Sequence, residues 1–419
     1  MPRGVRDFSP AEAISLRYIC DVVEEVFKRF GFYPLETPAM ENMSTLNSKA
    51  YGDEPTKEIF VMKDEQTGLR YDLTVPLARY VAANKDLVLP FKRYQIGNAW
   101  RRDEPQKMRY REFVQADVDI VGSSEAESDA EVIAAAAMGV EELGIRNYVV
   151  LVNSRTLLKQ VILGFGVPAD KETQAIRILD KLQKIKKDEA LAQLSALAPA
   201  DQSAEKLLGF VEQAGSNEEK LQRVSANIEG AKDAVEKMQE LLALLSAYKL
   251  NGRIVFDMTL ARGFDYYTGF VWEFAVEEDG KRLPSIGSGG RYDNLIGLYS
   301  KKSTPATGSS LGVSRIFDIL NGQKQRKTYA KAFVAYIGQQ NREYALSAAT
   351  ALRGSGVYVD MNVGDRNISK QLEYASSLGI GWVLIMGDKE REASKTKLRN
   401  MESGEEELIS IQEAIEKLK

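Results

Sequence analysis

Arg101, Arg102, Arg109 and Arg111 fall between two segments of alternating apolar and polar residues, in the stretch FKRYQIGNAWRRDEPQKMRYREFVQADVDIVG that runs from Phe91 to Gly122. The alternation predicts paired strands. A guanidinium stays charged and makes bidentate bonds with phosphate, so several of them beside a sheet face point to a phosphate-rich ligand. A lone arginine would more simply pair with a core carboxylate; the grouping favours the anion. A second cluster, Arg262-Gly263-Phe264-Asp265-Tyr266-Tyr267, combines an arginine, an acid and two phenols. Read as a strand, it puts Tyr266 and Tyr267 on opposite faces, so at most one lines a pocket with Arg262 unless the strand is bulged. An aromatic core strand explains the same residues equally well. Gly287, Gly289 and Gly290, ahead of Arg291-Tyr292-Asp293, allow close approach of backbone to ligand, or form a tight hairpin.

The alphabet narrows the chemistry. The chain has 419 residues, no histidine and one cysteine, Cys20. No Ser-His-Asp triad, Cys-His pair, HExxH helix or Cys/His zinc site can be built from it. Catalysis must run on charge and position, which suits a nucleophile that is already ionised, such as a carboxylate attacking phosphorus. Acyl-phosphate or acyl-adenylate chemistry follows. Neither a GxxxxGK[ST] loop nor a dinucleotide GxGxxG is present. ATP would therefore sit on the concave face of an antiparallel sheet, with Arg101 at a strand end and Arg315 in the last helix holding opposite ends of a bent triphosphate.

The elements that must position these residues are legible in outline. Ser9-Pro10-Ala11-Glu12 is a capping box ahead of Ile19, Val22, Val23, Val26, Phe27 and Phe30 at helical spacing, with Gly31 as the stop. Pro34 and Pro38 favour an edge or interface strand. Strands are predicted at 67–74, 93–100, 111–121, 148–152 and 253–258, forming one mixed or antiparallel sheet covered by a helix over 131–143. Between Gly166 and Leu250 the composition turns to Ala, Leu, Lys, Glu and Gln, the mark of a helical insertion. Its Lys181, Lys184, Lys186 and Lys187 read as a solvated face. Gln323 to Lys331 reads as a basic linker, and from 332 a strand, helix, strand, helix, strand order implies a small doubly wound sheet. With 44% hydrophobic and 28% charged residues and a net charge of -4, the composition is that of an ordinary globular enzyme. A start without an apolar h-region, and the lack of a long uncharged apolar run, predict a cytoplasmic protein that spans no membrane.

PRGVRDF, LRYDLTVPLARY, RYREFVQADVDIVG, ARGFDYYTG and GGRYD together resemble the histidyl-tRNA synthetases, of the archaeal and eukaryotic kind, over nearly the whole chain. The resemblance implies an α+β catalytic domain with a mixed, mainly antiparallel sheet of the class II synthetase type, a helical insertion, and a C-terminal α/β anticodon-binding domain. The divisions it suggests are 1–165 and 251–322 for the catalytic core, 166–250 for the insertion, 323–331 for the linker and 332–419 for the anticodon domain. Pro38 matches the proline of the class II dimer motif, so a homodimer is implied.

Carried onto this chain, the family pattern implies that Arg101 and Arg262 are catalytic and also meet the amino acid. ATP would be held by Arg101, Asp103, Arg109, Phe113 and Arg315, with Phe113 on adenine and Arg315 on the γ-phosphate. Histidine would be held by Asp72, Thr74 and Gln115 around its amino group and by Asp119 with Tyr267 around its ring, with Leu73 and Tyr266 also in its site. Substrates would be histidine, ATP with Mg2+, and the histidine tRNA. Aspartate stands at 72 and 119 where bacterial members carry glutamate, and Ser314 replaces the acid usual before the last arginine, a change expected to alter packing more than chemistry. The alternatives are a regulatory subunit of histidine biosynthesis that keeps the synthetase core without ligase activity, and a related synthetase for threonine or proline.

Overall fold

The computed structural model describes residues 1–47, 58–182, 185–197, 203–261, 266–278, 281–320, 326–364 and 366–419. Two compact units emerge, one of Met1–Arg6 with Tyr18–Leu320, the other of Asp7–Arg17 with Asn321–Lys419.

Helix α1 (Pro10–Arg29) opens on the capping box: the Ser9 backbone N–H donates to Glu12 Oε2 at 2.8 Å while the Glu12 N–H donates to Ser9 Oγ at 3.4 Å. It buries Ile19, Val23, Val26 and Phe27, and Gly31, at φ +75°, follows its end. The first unit continues through β1 (Tyr33–Pro34), β2 (Met40–Asn42), α2 (Met43–Leu46), β3 (Thr67–Leu69), α3 (Thr74–Ala83), β4 (Phe91–Trp100), β5 (Glu112–Val121), α4 (Ala126–Glu142) and β6 (Tyr148–Ser154). Six helices follow: α5 (Arg155–Gly164), α6 (Glu172–Asp180), α7 (Lys187–Leu197), α8 (Ser203–Val211), α9 (Asn217–Asn227) and α10 (Lys232–Ala247). The unit closes with β7 (Ile254–Phe256), β8 (Phe270–Glu278), β9 (Lys281–Arg282), β10 (Gly287–Arg291), β11 (Ala306–Leu311) and α11 (Val313–Leu320).

These strands form a nine-stranded sheet in the order β1-β4-β5-β11-β10-β8-β6-β7, with β9 on β8. All neighbours are antiparallel except β1 with β4 and β6 with β7 at the two edges. Pro34 thus sits on an edge strand, where its missing N–H costs no ladder bond. The pleat sorts the faces. Thr307 donates to Asp129 of α4 at 2.6 Å, so the odd residues of β11 and their partners Ile120, Val118 and Ala116 face that helix. Gln115, Asp117 and Asp119 then face the other way, with Gly308 and Ser310.

The expected strand over 67–74 is cut short. β3 ends at Leu69, and Asp72 instead accepts the N–H groups of Thr74 (3.1 Å) and Val75 (2.9 Å), starting α3. An aspartate ahead of a proline in the first turn is a helix signal that outweighs strand propensity.

The second unit holds β12 (Ala332–Tyr336), α12 (Arg342–Gly354), β13 (Val359–Met361), α13 (Ile368–Ser377), β14 (Trp382–Met386), α14 (Asp388–Glu392), β15 (Thr396–Asn400), β16 (Glu406–Ile409) and α15 (Ile411–Leu418). Its sheet order is β13-β12-β14-β15-β16, parallel through β14 and antiparallel beyond. Ala345, Leu352, Ile415 and Leu418 pack on one face and Ala375 of α13 on the other, so helices cover both sides.

Candidate active site

The turn between β4 and β5 carries the arginine cluster. Trp100 pairs with Glu112, and the Arg101 N–H donates to Arg111 O at 2.9 Å, so the ladder runs to the residue that must be placed. The Arg101 guanidinium lies 4.3 Å from the Tyr71 ring centre and 5.0 Å from that of Phe113, and its Nε donates to Tyr71 O at 3.2 Å. Two aromatic faces and a carbonyl fix its plane. Arg109 grips the buried Asp103 carboxylate through Nε (2.7 Å) and Nη2 (2.6 Å). Arg315, on the first turn of α11, donates to Ser285 O at 2.6 Å and Met108 O at 3.2 Å. The Ser314 hydroxyl accepts the Val114 N–H at 2.9 Å, pinning α11 to β5.

Arg101, Arg109 and Arg315 line one cavity of about 370 Å³, with Asp103 and Phe113 beside them. Arg102 is exposed, and Arg111 is half-buried with its Nε donating to Asp103 O at 3.0 Å; neither lines the cavity. A turning backbone aims neighbouring side chains in different directions, which spacing alone does not reveal.

Asp72, Thr74, Gln115, Asp117, Tyr266 and Tyr267 line the same cavity. One oxygen of Asp72 caps α3, so the same carboxylate that starts the helix faces the ligand space. Gln115 Nε2 donates to Ser310 Oγ at 2.7 Å, while Gln115 Oε1 and Asp117 Oδ1 are buried without a hydrogen-bond partner among the described residues. Burial pushes the Asp117 carboxyl up to about 7, against the pull of Arg93, and the nearby Asp119 and Asp72 charges push the same way. Burial likewise raises Asp119 and the Tyr267 phenol. The cavity thus offers cations that suit phosphates and a carboxylate, and acceptors that suit a group rich in N–H donors.

Several expected positions are placed differently. Asp119 is not on the cavity wall. Its carboxylate pairs with Arg93 Nη2 at 2.9 Å and accepts the Tyr292 hydroxyl. It fits because Gly308 stands opposite in the ladder, where a Cβ would collide with it. Leu73 is buried behind the wall, its carbonyl accepting from Arg93 Nη2 at 3.1 Å. The strand expected through Tyr266 and Tyr267 begins only at Phe270, so alternation does not apply and both rings, 4.8 Å apart, line the cavity. Gly287, Gly289 and Gly290 are a central strand, not a hairpin, with Gly287 and Gly289 on the wall. A Cβ at Gly290 would sit 2.7 Å from the Tyr267 ring. Arg262 lies outside the described residues. Asp117 and Asp180, at the end of α6, line the cavity and were not anticipated. The alternation of QADVD puts 117 on the same face as 115 and 119, and that signal was available.

Residues 4–316 match the model of the histidyl-tRNA synthetase family, and 331–419 match the anticodon-binding domain model. The chain belongs to the histidyl-tRNA synthetase family. A histidine–tRNA ligase of Korarchaeum cryptofilum is 37% identical over 432 residues, covering 100% of this chain and 98% of that protein. The one from Aeropyrum pernix is 38% identical, covering 99% and 96%, and a bacterial one from Phocaeicola vulgatus is 35% identical, covering 99% and 98%. A crystal structure of the histidyl-tRNA synthetase from Nostoc sp. PCC 7120 aligns with TM-score 0.88 and 28% identity, covering 100% of this chain and 98% of that one. A Bacillus halodurans structure titled as an ATP phosphoribosyltransferase regulatory subunit/histidyl-tRNA synthetase aligns with TM-score 0.75 at 22% identity, a likeness of fold alone.

Proposed function

We propose that this member of the histidyl-tRNA synthetase family is a histidine–tRNA ligase, activating histidine with ATP and passing it to the 3′ end of its tRNA. The observation that carries the reading is one cavity lined both by Arg101, Arg109 and Arg315 and by Asp72, Gln115 and Asp117. An amino acid spans the two sets, its carboxylate toward the cations and its amine and ring toward the acids.

In this reading the histidine carboxylate attacks the α-phosphorus in line, and the bond to the β-phosphate breaks as pyrophosphate leaves. Arg101 and Arg262 stabilise the charge that grows on the nonbridging oxygens, while Arg109, held by Asp103, and Arg315 take the outer phosphates. Phe113 carries adenine. Magnesium enters with the nucleotide as MgATP. Asp72 and Thr74 meet the α-ammonium from the start of α3; Leu73 anchors that turn, and Asp119 shapes the ring end from behind. In the second step the tRNA ribose hydroxyl attacks the activated carbonyl, a phosphate oxygen of the adenylate takes its proton, and the bond from the carbonyl carbon to the phosphate oxygen breaks to release AMP. We assign catalysis to 1–165 and 251–322, a helical insertion to 166–250, a linker to 323–331 and anticodon binding to 332–419. The functional form is a cytoplasmic homodimer.

Amino-acid-dependent exchange of pyrophosphate into ATP tests the reading. Histidine alone should support it, followed by charging of the histidine tRNA. Exchange with threonine or proline would overturn the assignment, and no exchange with any amino acid would favour a regulatory protein.

A further inference from the structure

Asp117 is a buried carboxylate on the cavity wall that hydrogen-bonds the Ser310 side chain and feels the Arg93 charge. It is 2% exposed, and its Oδ1 has no hydrogen-bond partner among the described residues. A buried acceptor without a donor is costly, and such a group persists where a ligand supplies the donor. Its neighbour on the same face, Gln115, also presents an unpartnered oxygen. Asp119, two residues further along β5, also has a buried oxygen without a hydrogen-bond partner among the described residues, but it is ion-paired with Arg93, accepts the Tyr292 hydroxyl and does not line the cavity.

The strand supplies the ruler. Phe113, Gln115 and Asp117 share one face, and same-face neighbours are about 7 Å apart. Phe113 lies against Arg101, so Gln115 and then Asp117 step away from the cation that receives the substrate carboxylate. Asp72 and Thr74 adjoin Tyr71, whose carbonyl holds Arg101; the α-ammonium, bonded one carbon from the carboxylate, belongs there. The part of histidine that reaches Asp117 is the ring, between that carboxylate and the Tyr266 and Tyr267 rings on the wall.

We propose that Asp117 is a specificity-determining residue of the amino-acid site: its carboxylate accepts an N–H of the histidine ring. The proposal deepens the ligase reading and rests on it. Gln115 completes the polar wall on the amine side, and Asp119 sets the electrostatics from the second layer.

The test uses the full chain and its Asp117→Asn variant, which keeps shape and removes charge. Measured are kcat/KM for pyrophosphate exchange with L-histidine and with its two ring N-methyl derivatives, and the inhibition constant of imidazolepropionate, which has ring and carboxylate but no amine. Asp117→Asn should lower kcat/KM for histidine by roughly 10- to 150-fold, the range for a hydrogen bond to a charged group. It should weaken imidazolepropionate by a similar factor and shrink the preference for histidine over at least one methylated ring. Loss with histidine but unchanged imidazolepropionate would overturn the proposal, because Asp117 would then hold the amine. So would a histidine kcat/KM within about threefold of wild type. Asp117→Ser, with ATP affinity measured in parallel, separates ring contact from misfolding: ATP binding should survive in both variants, and its loss in both would overturn a role confined to the ring. A wild-type chain without histidine-dependent exchange would instead overturn the ligase reading.

Discussion

Asp117 should weaken the empty enzyme in a way that depends on pH. Burial is the main cause of its raised carboxyl, which moves from an ordinary value of 3.8 to about 7. The folded chain therefore binds this proton more tightly than the unfolded chain. The sign follows: stability is unaffected below about 4, falls as pH rises through the window up to about 7, and carries the full penalty above it. A shift from 3.8 to about 7 corresponds to about 4 kcal/mol at 1.36 kcal/mol per unit. Asp72 and Asp119 share in that repulsion, so about 4 kcal/mol is a ceiling on the gain from Asp117→Asn at pH 8, and the direction is a higher melting midpoint for the variant. Calorimetry of both proteins without ligand, from pH 5 to pH 8, should show the variant's advantage growing with pH. Saturating histidine should raise the wild-type midpoint more than the variant's, because the ligand supplies the missing donor. A difference that is flat across pH, or a variant less stable at pH 8 than at pH 5 relative to wild type, would refute the reasoning.

Arg101→Ala should slow adenylate formation by roughly 100- to 1000-fold with little change in the melting midpoint, since it removes an oriented cation from the reacting centre; single-turnover kinetics reads this, and a near-normal rate would remove Arg101 from the chemistry. Gly308→Ala puts a methyl group against the Asp119 carboxylate. It should cost about 1–3 kcal/mol of stability and raise the KM for histidine more than that for ATP; equal changes in both would show that Asp119 does not support the ring end. Binding of the histidine tRNA should weaken steeply as salt rises, because phosphate contacts release counterions. A filter-binding affinity that ignores salt would argue against that partner.

What could be read from sequence was what local pattern determines. Alternation gave β4 and β5 because each is a long strand in an antiparallel pair. The capping box placed α1 because its bonds join residues only three apart in sequence. Tyr266 and Tyr267 were misplaced because the start of β8 is fixed by its pairing with β10 and β6, partners far away in sequence. Asp72 was misplaced because strand propensity and a helix cap compete for one residue, and the cap won. β15, β16 and α15 escaped notice because their strands are short and polar and gain their burial only by adding to β14. In the site, the family pattern named Asp119, and the cavity is lined by Asp117 instead. Which of two carboxylates on one face lines the cavity depends on how the sheet packs against Tyr292, a residue far away in sequence.

The proposed site also bears on rate. On that reading Arg101 would not choose among amino acids, since every one brings a carboxylate, and the ring contacts would have to choose at a distance from the reacting phosphorus. Binding energy gained there is useful only if it places the carboxylate in line with the α-phosphate. The stiffness of the connection then matters: Asp117 and Phe113 ride on one strand, Phe113 and Tyr71 clamp Arg101 between them, and Asp72 ties the amine end to the first turn of α3. An amino acid with amine and carboxylate but no ring would be free to slide along that axis, and it should lose turnover as well as affinity. With no histidine of its own, the chain relies on this alignment of fixed charges where other enzymes use an imidazole base.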